Sequence, residues 1–183
     1  MCGKMWDALL LLRCWPQRMN KMKYQLTGEY DLKIDAKGRI KMPTNLLKQL
    51  TVSTGTDGNY SFVVNRGYEN HLILYPQDVW EKKTKELNRL NINIKKNRQA
   101  LRYMYRGATQ INADNSDRVL LPKNLISYAG IKKEVVLFAY LDQIEIWAKD
   151  AYQDMIDQEP EDFSALAEEV FGGQASMQDQ EDE

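Results

Sequence analysis

The sequence is poor in the side chains on which most enzymes and metal sites depend. Its 183 residues include one histidine, His71, and two cysteines, Cys2 and Cys14. The cysteines have neither the spacing of zinc ligands nor the density of a disulfide framework, which favours a reducing cytoplasm. His71 lies in an apolar run, where we expect a packed strand residue rather than a metal ligand. Glycine-rich phosphate loops and Gly-x-Ser-x-Gly are also missing, so we predict no catalytic residues, no metal, no cofactor and no enzyme activity.

The beginning of the sequence has no apolar run that is long enough to cross a membrane. Residues 8–12 are apolar, but Arg13 follows them, whereas a membrane span needs about 20 such residues. A secretory signal would need a longer apolar stretch and a small-residue cleavage site. We therefore expect no membrane association. We interpret residues 1–21 as a dispensable N-terminal extension, with Met22 as the natural first residue.

Charges of the two signs nearly balance, with a formal net charge of −1, but they are unevenly distributed. Residues 161–183 carry eight acidic residues and no Lys or Arg, so residues 1–160 sum to +7. A basic body suits a polyanionic partner such as nucleic acid, although good solubility alone would also explain it. Because small, polar and acidic residues dominate from Gly172 onward, we predict an acidic, disordered tail over residues 161–183.

One segment of the chain is repeated. Four residues recur 79 positions later: Asp35, Arg39, Ile40 and Pro43 correspond to Asp114, Arg118, Val119 and Pro122. Residues 72–75 and 144–147 are a second related pair, 72 positions apart. Such a repeat indicates two copies of one structural unit. Each unit has only about 45 residues, too few to bury a sufficient core alone, so we expect two intertwined units that share one core.

Each unit is predicted to consist of a hairpin, a short helix and a second hairpin. In the first unit, residues 35–38 form a turn and Pro43 opens a helix through Leu50. In the second unit, Pro122 opens a helix that Gly130 ends.

Two further helices are predicted between the units. Asp78, three residues before Glu81, is typical of the residue that caps the start of a helix. The second helix is expected from about Lys95 to Arg106. Basic residues dominate the polar faces of both helices. We interpret these faces as solvated, in preference to direct contact with nucleic acid.

The Asp-x-x-x-Arg turn is the best candidate for a functional site. An arginine at the exit of a tight turn can present its planar guanidinium to a phosphate or to the O6/N7 edge of guanine. The aspartate can hold that guanidinium or cap the turn, and two nearby lysines add positive charge. One such turn could simply close a hairpin, but two copies that keep both residues favour a shared function. The candidate DNA-binding residues are Asp35, Lys37, Arg39, Lys41, Asp114 and Arg118.

Five segments together resemble the MraZ family of bacterial transcription regulators. In chain order they are residues 35–43, residues 74–76 with Trp80, and residues 114–122, 128–130 and 145–147. The resemblance implies an α+β, strand-rich fold in which two tandem swapped-hairpin (SpoVT/AbrB-like) units form an intramolecular pseudo-dimer barrel with connecting helices. It also implies a cytoplasmic, nucleoid-associated protein that forms homo-oligomeric rings. Such a protein binds short direct repeats in promoter DNA upstream of the division and cell-wall gene cluster that contains its own gene, usually as a repressor.

The expected organisation follows from the repeat and the resemblance. Residues 28–76 form the first unit, residues 77–106 a helical connector and residues 108–151 the second unit. The family usually has glycine before the second arginine, and here that residue is Asp117. Aspartate tolerates a positive φ, so the turn can survive. Its negative charge nevertheless weakens the case for phosphate contact by Arg118.

Two other functions remain open. A ring-forming structural or protein-interaction module could use the same fold without sequence-specific DNA binding. An antitoxin-like AbrB relative would need a tail that binds a toxin. The apolar residues of the tail that could make this contact are Phe163, Leu166, Val170 and Phe171. Salt dependence separates the DNA-binding regulator from the ring-forming module. DNA binding through phosphates weakens steeply with salt, whereas association through apolar surface does not.

Overall fold

The computed structural model describes residues 23–50, 60–157 and 167–168 of the chain. The strands are β1 (Leu26–Lys33), β2 (Arg39–Lys41), β3 (Ser61–Arg66), β4 (Leu72–Pro76), β5 (Thr109–Asn112), β6 (Arg118–Leu120), β7 (Glu134–Leu141) and β8 (Gln143–Ala148). The helices are α1 (Thr44–Leu47), α2 (Gln77–Leu87), α3 (Lys95–Met104), α4 (Lys123–Tyr128) and α5 (Lys149–Ile156). The predicted strand-rich α+β class is confirmed. The predictions for residues 1–21 and 161–183 lie outside the described residues, apart from Ala167 and Glu168.

Six strands form one sheet in the order β1-β7-β8-β4-β3-β5, and β2 pairs with β6 in a second sheet. The counterparts in the two units are β1 and β5, β3 and β7, and β4 and β8. Exchanging them gives the same strand order, read from the other edge of the sheet. The two units are therefore related by an approximate two-fold axis, which passes between β4 and β8 and between β2 and β6.

The first strand of each unit pairs with the other unit. β1 is antiparallel to β7, from Leu26 opposite Leu141 to Lys33 opposite Glu134. In the same way, β5 is antiparallel to β3. The units are intertwined, as the repeat and their small size suggested.

No barrel closure is seen among the described residues. Within the part of the chain that the structure describes, β1 and β5 are the open edges of the six-stranded sheet. Single bridges, Ile34 to Ile40 and Ala113 to Val119, connect these edge strands to β2 and β6. The hairpins predicted around the two Asp-x-x-x-Arg turns are reduced to these bridges. Both β2 and β6 are three residues long and pair with each other, and only these single bridges link them to β1 and β5.

The core is shared between the two units, as predicted. Ile40, Met42 and Leu46 of the first unit are at most 1% exposed, and Val119, Leu121 and Leu125 of the second are equally buried. These residues belong to one hydrophobic cluster. Both units therefore bury their apolar surface, the main favourable contribution to folding, in the same place.

The prediction that Asp78 caps the following helix is wrong. Helix α2 begins one residue earlier, at Gln77. The Asp78 carboxylate instead accepts hydrogen bonds from the Tyr24 hydroxyl at 3.1 Å and from Lys23 Nζ at 2.7 Å.

The predictions for Gly130 and His71 are confirmed. Gly130, just after α4, has a φ of 62°, the left-handed conformation that suits glycine at a helix end. His71 is packed and only 4% exposed, although it lies just before β4 rather than inside it. No helix among the described residues is long and apolar enough to cross a membrane.

Candidate nucleic-acid interface

The first Asp-x-x-x-Arg turn is organised by one carboxylate. Oδ1 of Asp35 accepts hydrogen bonds from the backbone N–H of Lys37 at 2.8 Å and of Arg39 at 2.9 Å. Oδ2 accepts from Arg39 Nε at 2.8 Å and lies 2.7 Å from Arg39 Nη2. The aspartate therefore caps the turn and holds the guanidinium at the same time. The sequence suggested these two roles as alternatives.

The second turn repeats this network. Oδ1 of Asp114 accepts from the backbone N–H of Ser116 at 2.9 Å and of Arg118 at 3.0 Å. Oδ2 accepts from Arg118 Nε at 2.9 Å and lies 2.9 Å from Nη2. The same aspartate and arginine hydrogen bonds therefore form in both turns, although the residues between the two differ.

The backbone of both turns requires one residue with positive φ. This residue is Gly38 in the first turn, with a φ of 83°, and Asp117 in the second, with a φ of 59°. Aspartate is among the few residues with a Cβ that adopt this conformation at modest cost. The second turn therefore survives without the expected glycine.

The same hydrogen bonds lower the pKa of both aspartates. For Asp35 the main cause is the hydrogen bond from the backbone N–H of Arg39. For Asp114 the main cause is the hydrogen bond from the Arg118 side chain, which lowers the pKa to about 2. Both carboxylates are therefore ionised near neutral pH, and both guanidinium groups keep a charged partner that fixes their orientation.

The two-stranded sheet brings the turns together. Arg39 lies opposite Leu120, Ile40 opposite Val119, and Lys41 opposite Arg118. Since side chains alternate along a strand, the fully buried Ile40 and Val119 mark the inner face. The other four side chains share the outer face. We call β2, β6 and their two turns the ribbon.

Contacts between the units fix the ribbon in place. The Met42 N–H donates to the Asp117 carbonyl at 2.8 Å, and the Leu121 N–H donates to the Gly38 carbonyl at 2.9 Å. Each turn is thus hydrogen-bonded to the unit that does not contain it. The approximate two-fold axis places the turns at opposite ends of the ribbon.

All six candidate residues lie on the ribbon. The arginines are partly exposed, with 26% of the Arg39 side chain and 36% of the Arg118 side chain accessible, while Lys37 and Lys41 are exposed. The sequence analysis missed Leu120, which is 54% exposed on the same outer face. The 79-residue offset could have found it, because it makes Leu120 the counterpart of Lys41.

The ribbon is therefore asymmetric in charge. Three residues of the first unit, Lys37, Gly38 and Lys41, correspond to Ser116, Asp117 and Leu120 in the second. The first half has two additional positive charges, and the second half has one additional negative charge. An anionic partner would be held more strongly by the first half.

The geometry offers charge and hydrogen-bond donors rather than reactive groups. Within residues 23–50, 60–157 and 167–168, no group of three or more His, Cys, Asp or Glu side chains could hold a metal ion. What the ribbon presents is two oriented guanidinium groups, two lysines and a leucine on a narrow antiparallel surface.

These features define a class of protein: two intertwined, strand-rich units in one chain, which present a pair of Asp–Arg turns on a two-stranded ribbon. A family model described as "MraZ protein, putative antitoxin-like" matches the chain twice, over residues 25–103 and 104–173. The chain belongs to the MraZ family, whose members are transcriptional regulators rather than enzymes.

Several curated relatives carry the name transcriptional regulator MraZ. The chain is 41% identical to the protein of Christiangramia forsetii over 148 residues, which cover 80% of this chain and 93% of that one. It is 40% identical to the Flavobacterium psychrophilum protein over 148 residues, covering 80% and 92%. It is 34% identical to the Pediococcus pentosaceus protein over 144 residues, covering 79% and 95%. The resemblance noted from the sequence motifs is confirmed.

Proposed function

We propose that this protein is a sequence-specific, DNA-binding transcriptional regulator that inserts the ribbon into the major groove of promoter DNA. The observation that carries the proposal is the pair of Asp-oriented guanidinium groups on one outer face. The major groove, about 12 Å wide, admits a two-stranded antiparallel ribbon. Arg39 and Arg118 contact guanine edges or phosphates, and Asp35 and Asp114 orient them. Lys37 and Lys41 contact phosphates.

The fixed orientation of the arginines favours recognition over general attraction. A free arginine side chain loses rotational freedom when it binds, whereas Arg39 is already held by Asp35 through Nε and Nη2. Its remaining N–H groups point away from the carboxylate and stay available. Preorganised donors of this kind lose less entropy on binding.

Membership of the MraZ family supports a proposal for the target and the assembly. We propose that the protein acts in the cytoplasm, associated with the nucleoid, as a homo-oligomeric ring. It binds short direct repeats upstream of the division and cell-wall gene cluster that contains its own gene, and it represses that cluster. Several ribbons in one ring would engage successive repeats together, which raises the overall affinity beyond that of a single ribbon.

The test is a titration of the full chain against the DNA immediately upstream of its gene, followed by fluorescence anisotropy. Arg39→Ala should weaken binding about 10- to 100-fold, the usual effect of removing one base-contacting arginine. Lys85→Ala is the matched control, because it removes one exposed positive charge from α2, outside the ribbon. Both variants should remain folded and keep the wild-type elution volume. Native affinity of Arg39→Ala would refute the proposal.

The second candidate function, a ring-forming module without sequence-specific DNA binding, is tested by the same titration. Binding through phosphates should weaken steeply between about 50 and 200 mM salt, with a shallower slope for Arg39→Ala. If the assembly forms normally but the upstream DNA binds no better than a shuffled fragment at every salt concentration, the structural module is the correct reading.

A further inference from the structure

A cavity of about 330 Å³ lies away from the ribbon, between α2, α3 and the adjoining strands β3 and β4. Tyr128, the last residue of α4, completes its wall. The volume falls within the range of small-molecule binding sites. The proposed DNA-binding function leaves this cavity without a role.

The charged side chains that line the cavity, among the described residues, are all positive. Arg66, Lys83 and Arg106 line it, and no Asp or Glu is among the described residues of its lining. Lys83 has one acidic neighbour outside the cavity, Asp142, at 3.4 Å. Three cations around a partly enclosed, largely apolar space create a positive potential that favours an anionic occupant.

The Arg66 side chain contacts Tyr128, but one of its hydrogen-bond donors has no acceptor among the described residues. Its guanidinium carbon lies 4.4 Å from the centre of the Tyr128 ring, a cation–π contact. Its Nε is buried and has no hydrogen-bond partner among the described residues. An unpaired buried donor is costly, and an acceptor on a bound molecule would remove that cost.

Hydrogen bonds also hold the walls of the cavity. The Tyr128 hydroxyl lies within hydrogen-bonding distance of the carbonyls of Gly67, at 3.1 Å, and Glu69, at 3.0 Å. The Asn65 side chain donates to the Met104 carbonyl at 2.7 Å and so ties β3 to the end of α3. These long-range contacts make the cavity a formed site rather than a gap between loosely packed helices.

Aromatic rings supply the remaining surface. The Tyr75 and Trp80 rings lie 5.7 Å apart in a tilted arrangement, and Lys83 Nζ lies 5.3 Å from the centre of the Tyr75 ring. Tyr103, another lining residue, is 66% exposed. Such rings favour a planar partner, which can stack on them or meet their edges.

We propose that this cavity binds a small, planar, aromatic molecule that carries a carboxylate or a phosphate. The ring of the ligand lies against Tyr75 and Trp80, and its anionic group accepts hydrogen bonds from Arg66, with Arg106 and Lys83 nearby. The site is separate from the ribbon, so its occupation does not depend on the proposed function.

The test is isothermal titration calorimetry on the full chain with matched probes. Indole-3-carboxylate and adenosine monophosphate represent the carboxylate and phosphate sources, and indole, adenosine and inorganic phosphate are their incomplete counterparts. At least one complete probe should bind with a Kd below about 1 mM, ten-fold or more tightly than either of its parts. The preferred complete probe identifies the source of the anion.

Variants locate the binding in the cavity. Arg66→Gln should weaken the preferred probe at least ten-fold. Arg106→Gln provides a second variant, because this exposed side chain can change without disturbing the core. Lys85→Gln, on α2 but outside the cavity, and Arg39→Ala, on the ribbon, should both bind as the wild type does.

Three results would overturn the proposal. The first is a failure of both complete probes to bind, and the second is equal binding of the neutral counterparts. The third is a change in oligomer size on gel filtration for both Arg66→Gln and Arg106→Gln, because the surface would then be a contact between copies of the chain. None of these results would affect the DNA titration.

Discussion

Lys41 lies directly opposite Arg118 across the two-stranded sheet, so two positive side chains occupy one cross-strand site on the outer face of the ribbon. Like charges at directly opposite positions destabilise a sheet. Asp114 neutralises Arg118 in part, but Lys41 has no corresponding acidic neighbour among the described ion pairs. An anion bound between the two strands would offset the repulsion.

The first prediction follows from this arrangement. Lys41→Leu, which introduces the residue found at the equivalent position 120, should stabilise the free protein by less than about 1 kcal/mol and weaken DNA binding. Urea unfolding at low and high salt measures the first effect, which should shrink as salt screens the repulsion. Lys85→Leu should change neither quantity. Unaltered DNA affinity of Lys41→Leu would place this lysine outside the interface.

The second prediction concerns Asp117. If the second turn contacts DNA, the Asp117 carboxylate opposes the phosphates, and its removal should tighten binding by roughly 1 kcal/mol or less for one exposed charge. Asp117→Gly removes the charge and the cost of a positive φ, whereas Asp117→Asn removes only the charge. Both variants are titrated against one promoter fragment at one salt concentration. If neither binds more tightly and Arg118→Ala binds normally, the second turn is structural only.

The third prediction uses the pKa of Asp114. The pKa of Asp114 is about 2 in the folded protein, below the ordinary aspartate value of 3.8, so the unfolded chain binds this proton more readily. The contribution of Asp114 to stability is therefore complete above pH 3.8 and is lost as the pH falls from 3.8 towards 2. Urea unfolding between pH 5 and pH 2 should show a shallower pH dependence for Asp114→Asn than for the wild type. The exposed Asp154→Asn serves as the control, and a wild-type slope for Asp114→Asn would contradict the assignment.

The fourth prediction concerns His71. Burial lowers its pKa below 6.5, although Glu145 and Glu69, each 3.8 Å from one ring nitrogen, oppose the shift. The folded protein holds His71 neutral against Trp147, with ring centres 4.2 Å apart, while the unfolded chain takes up a proton below pH 6.5. Stability should therefore fall as the pH drops below 6.5. His71→Phe keeps an aromatic ring against Trp147. Its melting temperature should fall less than that of the wild type between pH 7.5 and pH 5.5. Equal losses would show that other groups control this range.

The sequence predicted the parts of this fold that depend on local chemistry or on the repeat. The 79-residue offset identified both Asp–Arg turns and the shared core, because residues such as Ile40 and Val119 have the same environment in both units. Asp117 was correctly expected to support a turn with positive φ. These features depend on backbone conformation and burial, which short sequence patterns encode directly.

The remaining features depend on contacts between distant segments. Asp78 looks like a helix cap, but it also accepts a hydrogen bond from a tyrosine 54 residues earlier in the chain. The pairing of β2 with β6, with only single bridges to β1 and β5, could not be foreseen, because it joins segments about 79 residues apart. The cavity around Arg66 was also missed, since no sequence pattern indicates which faces of α2, α3 and the sheet meet.

The exchange of β1 and β5 between the units has a consequence for how the protein is made. Leu26 finds its partner, Leu141, only after the ribosome has added on the order of 100 further residues, so pairing in the first unit waits for nearly the whole chain. Until then β1 lacks its partner strand β7, and unpaired strand edges are prone to aggregation. A truncated transcript, or proteolysis before β7, would therefore leave an incomplete fragment that is prone to aggregation. It would not give a smaller functional regulator.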